Sequence, residues 1–241
     1  MIKWEKMPTF LKNNDVKKYY NILKKRKISL FIKRFLDIFL SFICLIVFLP
    51  FFIIIGVAIK LDSKGPIFYR QERVTIYNKT FKIFKFRTMI QNADKVGSLV
   101  TISNDKRITK VGKIIRKFRL DEIPQLINVL VGDMSFIGTR PEVRKYVDIY
   151  SNEMKATLLM RAGVTSYTSI VFKDEDELIN KYIDKNNDVD DVYIKKILPI
   201  KMKTNLEYIR SFNIFNDIKI LVWTVFAVLG IKKFKNELME K

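Results

Sequence analysis

Residues 35–59 read FLDIFLSFICLIVFLPFFIIIGVAI, a run whose only charge is Asp37. No other stretch narrows the possible folds so far. As a helix, the part from Ile38 onward would extend roughly 30 Å, the thickness of a bilayer core. Helices buried in soluble proteins are seldom apolar on every face. The run therefore reads as membrane-inserted. It does not read as a cleaved signal peptide, because too many residues precede it and no small-residue cleavage site follows.

Orientation normally follows the flank richer in Lys and Arg. Here both flanks are basic. Lys24, Lys25, Arg26, Lys27, Lys33 and Arg34 lie upstream, and Lys60, Lys64, Arg70 and Arg73 lie downstream. A spanning helix would carry one of these clusters across the membrane. A re-entrant hairpin keeps both on one side, and Pro50 supplies the bend by removing a backbone donor and crowding the preceding turn. The hairpin is the favoured expectation, and a kinked spanning helix is the alternative. Asp37 follows Lys33 and Arg34 by four and three residues, a spacing that predicts an ion pair on one helix face.

The chain has 241 residues, 45 of them Lys or Arg, and a formal net charge of +20. So positive a surface attracts polyanions: nucleic acid, anionic headgroups or phosphorylated small molecules. There is no histidine, which excludes histidine-based triads and zinc sites. The one cysteine, Cys44, sits inside the apolar run, where a thiolate is disfavoured, and one cysteine allows no disulfide within the chain. The chemistry is left to Asp, Glu, Lys, Tyr, Ser or Thr, with or without a metal.

The remainder reads as a mixed, mostly helical α+β body. Phe68–Val74 and Phe81–Phe86 alternate apolar and polar residues and predict a two-stranded ribbon joined near Tyr77–Thr80, with Lys82, Lys85 and Arg87 on its polar face. Residues 94–104 predict a loop. Ile108, Val111, Ile114 and Ile115 have helical spacing and predict a helix over 107–118. A second helix starts near Asp121, with Pro124 in its first turn, and ends at Gly132–Asp133. Gly138 and Pro141 bracket a turn that presents Arg140. Tyr146–Met160 reads as helical. Asp174–Glu177 is an acidic patch that suits a solvated helix start better than a cation site. Ser211–Gly230 suits an interfacial or core helix, with Trp223 at the headgroup boundary. Three units follow: a basic N-terminal extension (1–32), the membrane hairpin (33–60) and a membrane-associated cytoplasmic domain (61–241).

The sequence KFRLDEIPQL (117–126) sets two carboxylates, Asp121 and Glu122, directly after Arg116, Lys117 and Arg119. A helix start, the basic cluster and Arg140 would all favour ionised carboxylates with lowered pKa values. Such carboxylates ligate a hard cation or attack phosphorus. Helix capping explains the pair as well when the stretch is taken alone. In combination with membrane insertion and several phosphate-binding Arg/Lys motifs, phosphoryl transfer becomes the better explanation, since it needs little beyond positive charge, a metal and a nucleophile.

Several motifs in order resemble the bacterial sugar transferases called monotopic phosphoglycosyl transferases. They are KRFLD (33–37), the apolar run broken at Pro50, GPIFYRQERV (65–74), FKIFKFRTM (81–89), the stretch 105–142 containing LDEIPQL and GTRPE, RAGVTSY (161–167) and IFNDIKILVWTV (214–225). The resemblance implies transfer of a sugar-1-phosphate from a UDP-sugar to polyprenyl phosphate, with release of UMP, at the cytoplasmic face of the bacterial inner membrane. It implies Mg2+, Asp121 as nucleophile, and Glu122 with Asp121 as metal ligands. Arg116, Arg140, Pro141, Lys85 and Arg87 would bind substrate phosphate. Lys33, Arg34, Asp37 and Pro50 would shape the membrane hairpin. Nucleic acid is not an expected partner. The family's common Ser-Pro at the hairpin break is Leu49–Pro50 here, and its Pro-Arg-Pro motif is Thr139–Arg140–Pro141. The contrasting reading is a non-catalytic, membrane-tethered basic module for RNA or anionic lipid. Saturable binding of UDP-sugar with Mg2+, against salt-dependent binding of mixed polyanions, separates the two.

Overall fold

A computed structural model of the chain describes residues 1–93, 105–171, 182 and 189–228. The expected loop at 94–104 and the acidic patch Asp174–Glu177 lie outside the described residues.

The apolar run forms one helix. Helix α1 (Asn14–Lys25) comes first, capped by the Asn13 side chain, which accepts from the Val16 amide at 2.9 Å. Val16, Tyr19, Tyr20 and Leu23 form its buried stripe, so the N-terminal segment packs into the main core. Helix α2 (Lys27–Asp62) then runs 36 residues with Pro50 inside it. Its most apolar window has a mean hydropathy of 3.1, yet only 6% of that window is buried, which is the reverse of a core helix. The structure thus contains a long apolar N-terminal helix, and Pro50 does not end it.

Buried residues of α2 cluster at its two ends: Lys33, Asp37 and Ser41 at one, Gly56 and Ile59 at the other. At the first end, Asp37 accepts from the Phe136 amide at 3.0 Å, and Arg34 donates to the carbonyls of Val129 and Leu130 at 2.7 and 3.0 Å. Lys33 pairs with Asp217, which also accepts from the Tyr208 hydroxyl. The expected pair of Asp37 with Lys33 or Arg34 is therefore replaced. All three side chains reach across the fold to satisfy groups far along the chain, because Lys33 and Asp37 are buried, Arg34 is partly so, and a distant buried partner outweighs a solvated neighbour. At the second end, Asp62 accepts from the Val111 amide at 3.0 Å and fastens α2 to helix α3 (Lys110–Lys117).

Strands β1 (Phe68–Val74) and β2 (Thr80–Phe86) form the expected antiparallel ribbon, in the register Tyr69↔Lys85 and Glu72↔Lys82. Lys82 and Lys85 are three residues apart and so face opposite sides of the ribbon, correcting the single polar face expected for them. Phe81 and Ile83 share the Lys85 side and pack with Val129 and Met134. Phe68 and Phe86 pack on the other side with Ile59, Ile115 and Phe52. The turn between the strands puts Tyr77 and Asn78 at φ 57° and 64° without glycine. Partners hold it there: Arg144 donates to Asn78 Oδ1 and to its carbonyl, and Tyr77 Oη accepts from the Ile2 amide.

Helix α3 is shorter than expected and is capped by Thr109, whose hydroxyl accepts from the Gly112 amide at 3.0 Å. Gly112 lets α3 press onto the ribbon's end, since a Cβ there would lie 2.1 Å from the Thr88 carbonyl oxygen. Helix α4 (Gln125–Val131) ends at Gly132 in the left-handed region, φ 100°, as expected for a C-cap. Strand β3 (Met134–Ile137) pairs in parallel with β4 (Ala162–Thr165), a pairing invisible in such short segments.

The helix expected over 146–160 breaks into α5 (Arg144–Val147) and a 3-10 turn at Met154–Leu159. Ser151 Oγ accepts from the Met154 amide, a local bond that competes with helix continuation. Short helices α6 (Tyr167–Val171) and α7 (Val189–Val192) precede α8 (Leu198–Ser211) and α9 (Ile214–Val228). The main core joins α1, α5, α8 and the Met154–Leu159 turn around Leu11, Leu159, Ile197, Met202, Ile209 and Phe212.

Candidate active site

Asp121 and Glu122 sit on a 3-10 turn, Leu120–Glu122, between α3 and α4. Arg119 enters the turn at φ 56°, a left-handed step that reverses the chain and aims both carboxylates back at the ribbon. Leu120 anchors the turn against the Ile59–Phe86–Ile115 cluster. Asn128 sets the distance to the ribbon. Its buried amide accepts from the Phe84 amide at 2.8 Å and donates to the Lys82 carbonyl at 3.1 Å, so α4 is stitched to β2 as a neighbouring strand would be.

That registry puts Lys85 Nζ 2.9 Å from Glu122 Oε1 and 4.0 Å from Asp121 Oδ2. Arg140 Nη2 reaches the same Glu122 oxygen at 2.9 Å. The two carboxylates differ sharply. Burial pushes Glu122 up, but Arg140 and Lys85 outweigh it and hold the carboxyl well below the usual range. Burial pushes Asp121 up, only partly opposed by Lys85, while the charge of Glu122 adds to the rise. Lowered values were expected for both. The difference arises because Glu122 takes the cations and Asp121 is left with desolvation. Asp121 Oδ1 is buried and has no hydrogen-bond partner among the described residues.

Asp121 forms part of the wall of a cavity of about 460 Å3, with Lys85, Arg116, Arg87, Arg73 and Tyr69 among the other lining residues. Arg116 lines the same wall. Arg87 also reaches the wall, but its Nη atoms donate to the carbonyls of Ser63 and Lys64 and to Ser63 Oγ, tying the end of α2 to the ribbon. Arg140 lies behind the dyad on Glu122, and the Pro141 carbonyl accepts from Arg73 at 3.3 Å. Lys33, Arg34 and Asp37 are brought together at the base of α2, away from this cavity, and Pro50 lies on the exposed stretch of that helix.

Sequence reasoning missed Arg73 and Asn128 as parts of the site. Arg73 carried a usable signal: it shares the strand parity of Tyr69 and lies on the Lys85 side of the ribbon. Asn128 carried little, since one amide within an apolar stripe has no distinctive spacing.

The donor set suits a hard cation. Mg2+ is commonly held by one or two carboxylates while water and substrate phosphate complete its shell. Asp121 with its unpartnered oxygen, beside Glu122, meets that need. Among the described residues no cluster of three Asp, Glu, His or Cys side chains offers a complete protein cage.

The profile described as bacterial sugar transferase matches residues 28–231. The chain is 37% identical over 202 residues to a UDP-N-acetylgalactosamine-undecaprenyl-phosphate N-acetylgalactosaminephosphotransferase of Aeromonas hydrophila, covering 83% of this chain and 44% of that protein. It is 35% identical over 205 residues to a UDP-glucose:undecaprenyl-phosphate glucose-1-phosphate transferase of Klebsiella pneumoniae, covering 83% and 40%. The exopolysaccharide production protein ExoY of Sinorhizobium fredii is 35% identical over 153 residues, covering 57% and 68%. The chain spans less than half the length of the first two relatives.

Proposed function

The chain belongs to the bacterial sugar transferase family, and from that premise we propose that it moves a sugar-1-phosphate from a UDP-sugar to polyprenyl phosphate at the cytoplasmic face of a bacterial inner membrane, starting a surface glycan. The observation that carries the reading is Asp121: a buried carboxylate, one oxygen without a donor, on the wall of a cavity rich in Lys and Arg. An oxygen that no hydrogen bond holds is available to form a bond. The Asp121 carboxylate attacks the phosphorus that bears the sugar. The bond to the UMP phosphate breaks and its electron pair leaves with UMP. A phosphosugar-aspartyl intermediate remains. The polyprenyl phosphate oxygen then attacks the same phosphorus and frees the carboxylate, giving a polyprenyl diphosphate sugar.

Lys85 and Arg116 offset the repulsion between an anionic nucleophile and anionic substrates. Glu122, held by Lys85 and Arg140, fixes those cations beside the nucleophile and would share Mg2+ with Asp121. When bound, Mg2+ would supply further positive charge to the reacting phosphates. Arg87 and Pro141 act from the edges of the site, through the end of α2 and through Arg73. The relatives act on different UDP-sugars, so the sugar is a matter for assay.

The re-entrant arrangement of α2 belongs to the same proposal. Both ends of the helix grip one body, and the stretch between the buried anchors Ser41 and Gly56 contains no fully buried residue. Residues 42–55 would extend only about 20 Å, short of a bilayer core. Helix α9 supports an interfacial placement: Phe215, Ile218, Val222 and Val225 form an exposed apolar stripe while Asp217 and Ile220 face inward. Cysteines introduced one at a time at the exposed positions Lys27 and Lys64 should be labelled from the same side of sealed vesicles, and labelling from opposite sides would contradict the hairpin.

The function is tested with the full chain in vesicles containing polyprenyl phosphate, Mg2+ and a panel of UDP-sugars. Release of UMP with formation of a lipid-linked diphosphosugar is the expected result. No UMP from any donor, together with steeply salt-dependent RNA binding, would favour the binding-module reading.

A further inference from the structure

A second concavity lies on the outer face of α2. It measures about 450 Å3 and is lined by Phe52, Ile53, Gly56, Val57 and Ile67, with Lys60 the one charged side chain on its wall among the described residues. At Gly56 the missing side chain lets Ile67 approach until a Cβ would lie 3.2 Å from Ile67 Cδ1. We infer that this groove holds the isoprenoid chain of the acceptor, with the lipid phosphate turned around Pro66 and Phe68 into the Asp121 cavity. The inference rests on the transferase reading above.

Continuity with the reaction cavity is the first argument. Pro66 and Phe68 line the Asp121 cavity, and Ile67 between them lines the groove, so the start of β1 is a wall common to both. Phe52 forms part of the groove and packs against Phe68 and Phe86, with ring centroids 6.4 and 5.2 Å away. Phe68 and Phe86 face the cavity. One aromatic layer therefore has lipid-facing surface on one side and the nucleophile's cavity on the other. Leu120, next to Asp121, packs on the same cluster.

Charge is the second argument. An isoprenoid chain is uniformly apolar and ends in a phosphate. The groove is uniformly apolar and carries a single cation, with the Lys- and Arg-lined cavity beyond the shared wall. An ordinary phospholipid pairs an apolar chain with a phosphate as well, but only the acceptor's phosphate has to reach Asp121 for transfer to occur, and the groove adjoins that cavity. The shared wall favours the acceptor as occupant.

Val57 is exposed and on the groove wall, and Val47 is equally solvent-facing on the same helix outside it. The full chain with Val57→Trp should show a KM for long-chain polyprenyl phosphate raised about tenfold, with kcat nearly unchanged, because a ring filling the groove removes ground-state binding. The KM for UDP-sugar and the burst of UMP formed without acceptor should stay as in the unaltered chain. Val47→Trp should leave all four quantities within about twofold. Equal acceptor KM values for the two variants would overturn the inference. A second measurement needs no substitution. A polyprenyl phosphate carrying a diazirine in its first isoprene units should label residues 52–67 of the unaltered chain, and excess phospholipid should not compete. Labelling only elsewhere, or labelling displaced by ordinary phospholipid, would overturn it. Absence of any UMP burst from the unaltered chain would instead remove the transferase reading and the groove with it, so the two failures are told apart by the donor half-reaction.

Discussion

Arg140 and Glu142 flank one proline and serve two different clusters of buried charge. Arg140 reaches forward to Glu122, in the corner where Asp121 keeps an oxygen without a partner. Glu142 reaches back, accepting from the Tyr193 hydroxyl at 2.6 Å and Lys201 Nζ at 3.2 Å, while Lys201 also donates to Tyr193 at 2.8 Å. The two regions have similar ingredients: a buried carboxylate with Lys and Arg around it. They differ in completion. The Glu142 cluster closes on itself, and the hollow that Glu142 helps to line measures only about 10 Å3. The Asp121 corner opens on a cavity of about 460 Å3. A buried charge whose bonds are complete holds a fold together. One left incomplete beside a cavity is kept for a ligand.

If that contrast is right, substitutions in the two clusters should fail in different ways. Asp121→Asn should reduce UMP release by roughly four orders of magnitude or more, the scale of losing a covalent nucleophile, with a melting temperature at or above that of the unaltered chain. A large fall in melting temperature would mean that the corner is structural. Glu142→Leu should do the reverse. Breaking one side of a buried ion pair costs about 3–5 kcal/mol, read by denaturant unfolding, and the double variant Glu142→Leu with Lys201→Met should recover much of the loss. Equal losses in single and double variants would break the comparison.

Asn128→Leu lies between the two classes. It strips partners from the Phe84 amide and the Lys82 carbonyl, at a cost of roughly 2–3 kcal/mol. Because the same amide sets Lys85 against Glu122, kcat should fall in the protein that remains folded. A stability loss with unchanged kcat would show that Asn128 positions nothing.

The smallest effect is a pH dependence. Burial raises the Glu142 carboxyl, but Lys201 and Arg73 outweigh it and hold it below its ordinary 4.5. A lowered folded-state value means that the unfolded chain binds the proton first. The contribution is therefore complete above about pH 5 and is lost as pH falls through the folded value. The difference in melting temperature between the unaltered chain and Glu142→Gln should be constant from pH 7 to 5 and shrink below it. A difference that grows on acidification would contradict the pairing.

Part of the fold can be read from the residues, while the Glu142 cluster cannot, since Glu142, Tyr193 and Lys201 meet only in three dimensions. The ribbon was legible because Phe68–Val74 and Phe81–Phe86 alternate with period two. The long apolar helix was legible because nothing else is so apolar for so long. The adjacency of Asp121 and Glu122 was plain, but their division of labour was not: it depends on which carboxylate Lys85 and Arg140 reach, a matter of three-dimensional registry set by Asn128. The β3–β4 pairing and the roles of Lys33 and Asp37 depend on partners far along the chain, such as Asp217 and Phe136. Local spacing places Lys33 beside Asp37 on one helix face, and burial sends both elsewhere.

The central claim is that the incomplete carboxylate becomes covalently bonded to phosphorus. Mass spectrometry of the full chain mixed with its UDP-sugar and Mg2+, without acceptor, tests it directly. A sugar-phosphate mass should appear on the peptide containing Asp121 and disappear when polyprenyl phosphate is added. Full turnover with no adduct, or with an adduct at another residue, would contradict it.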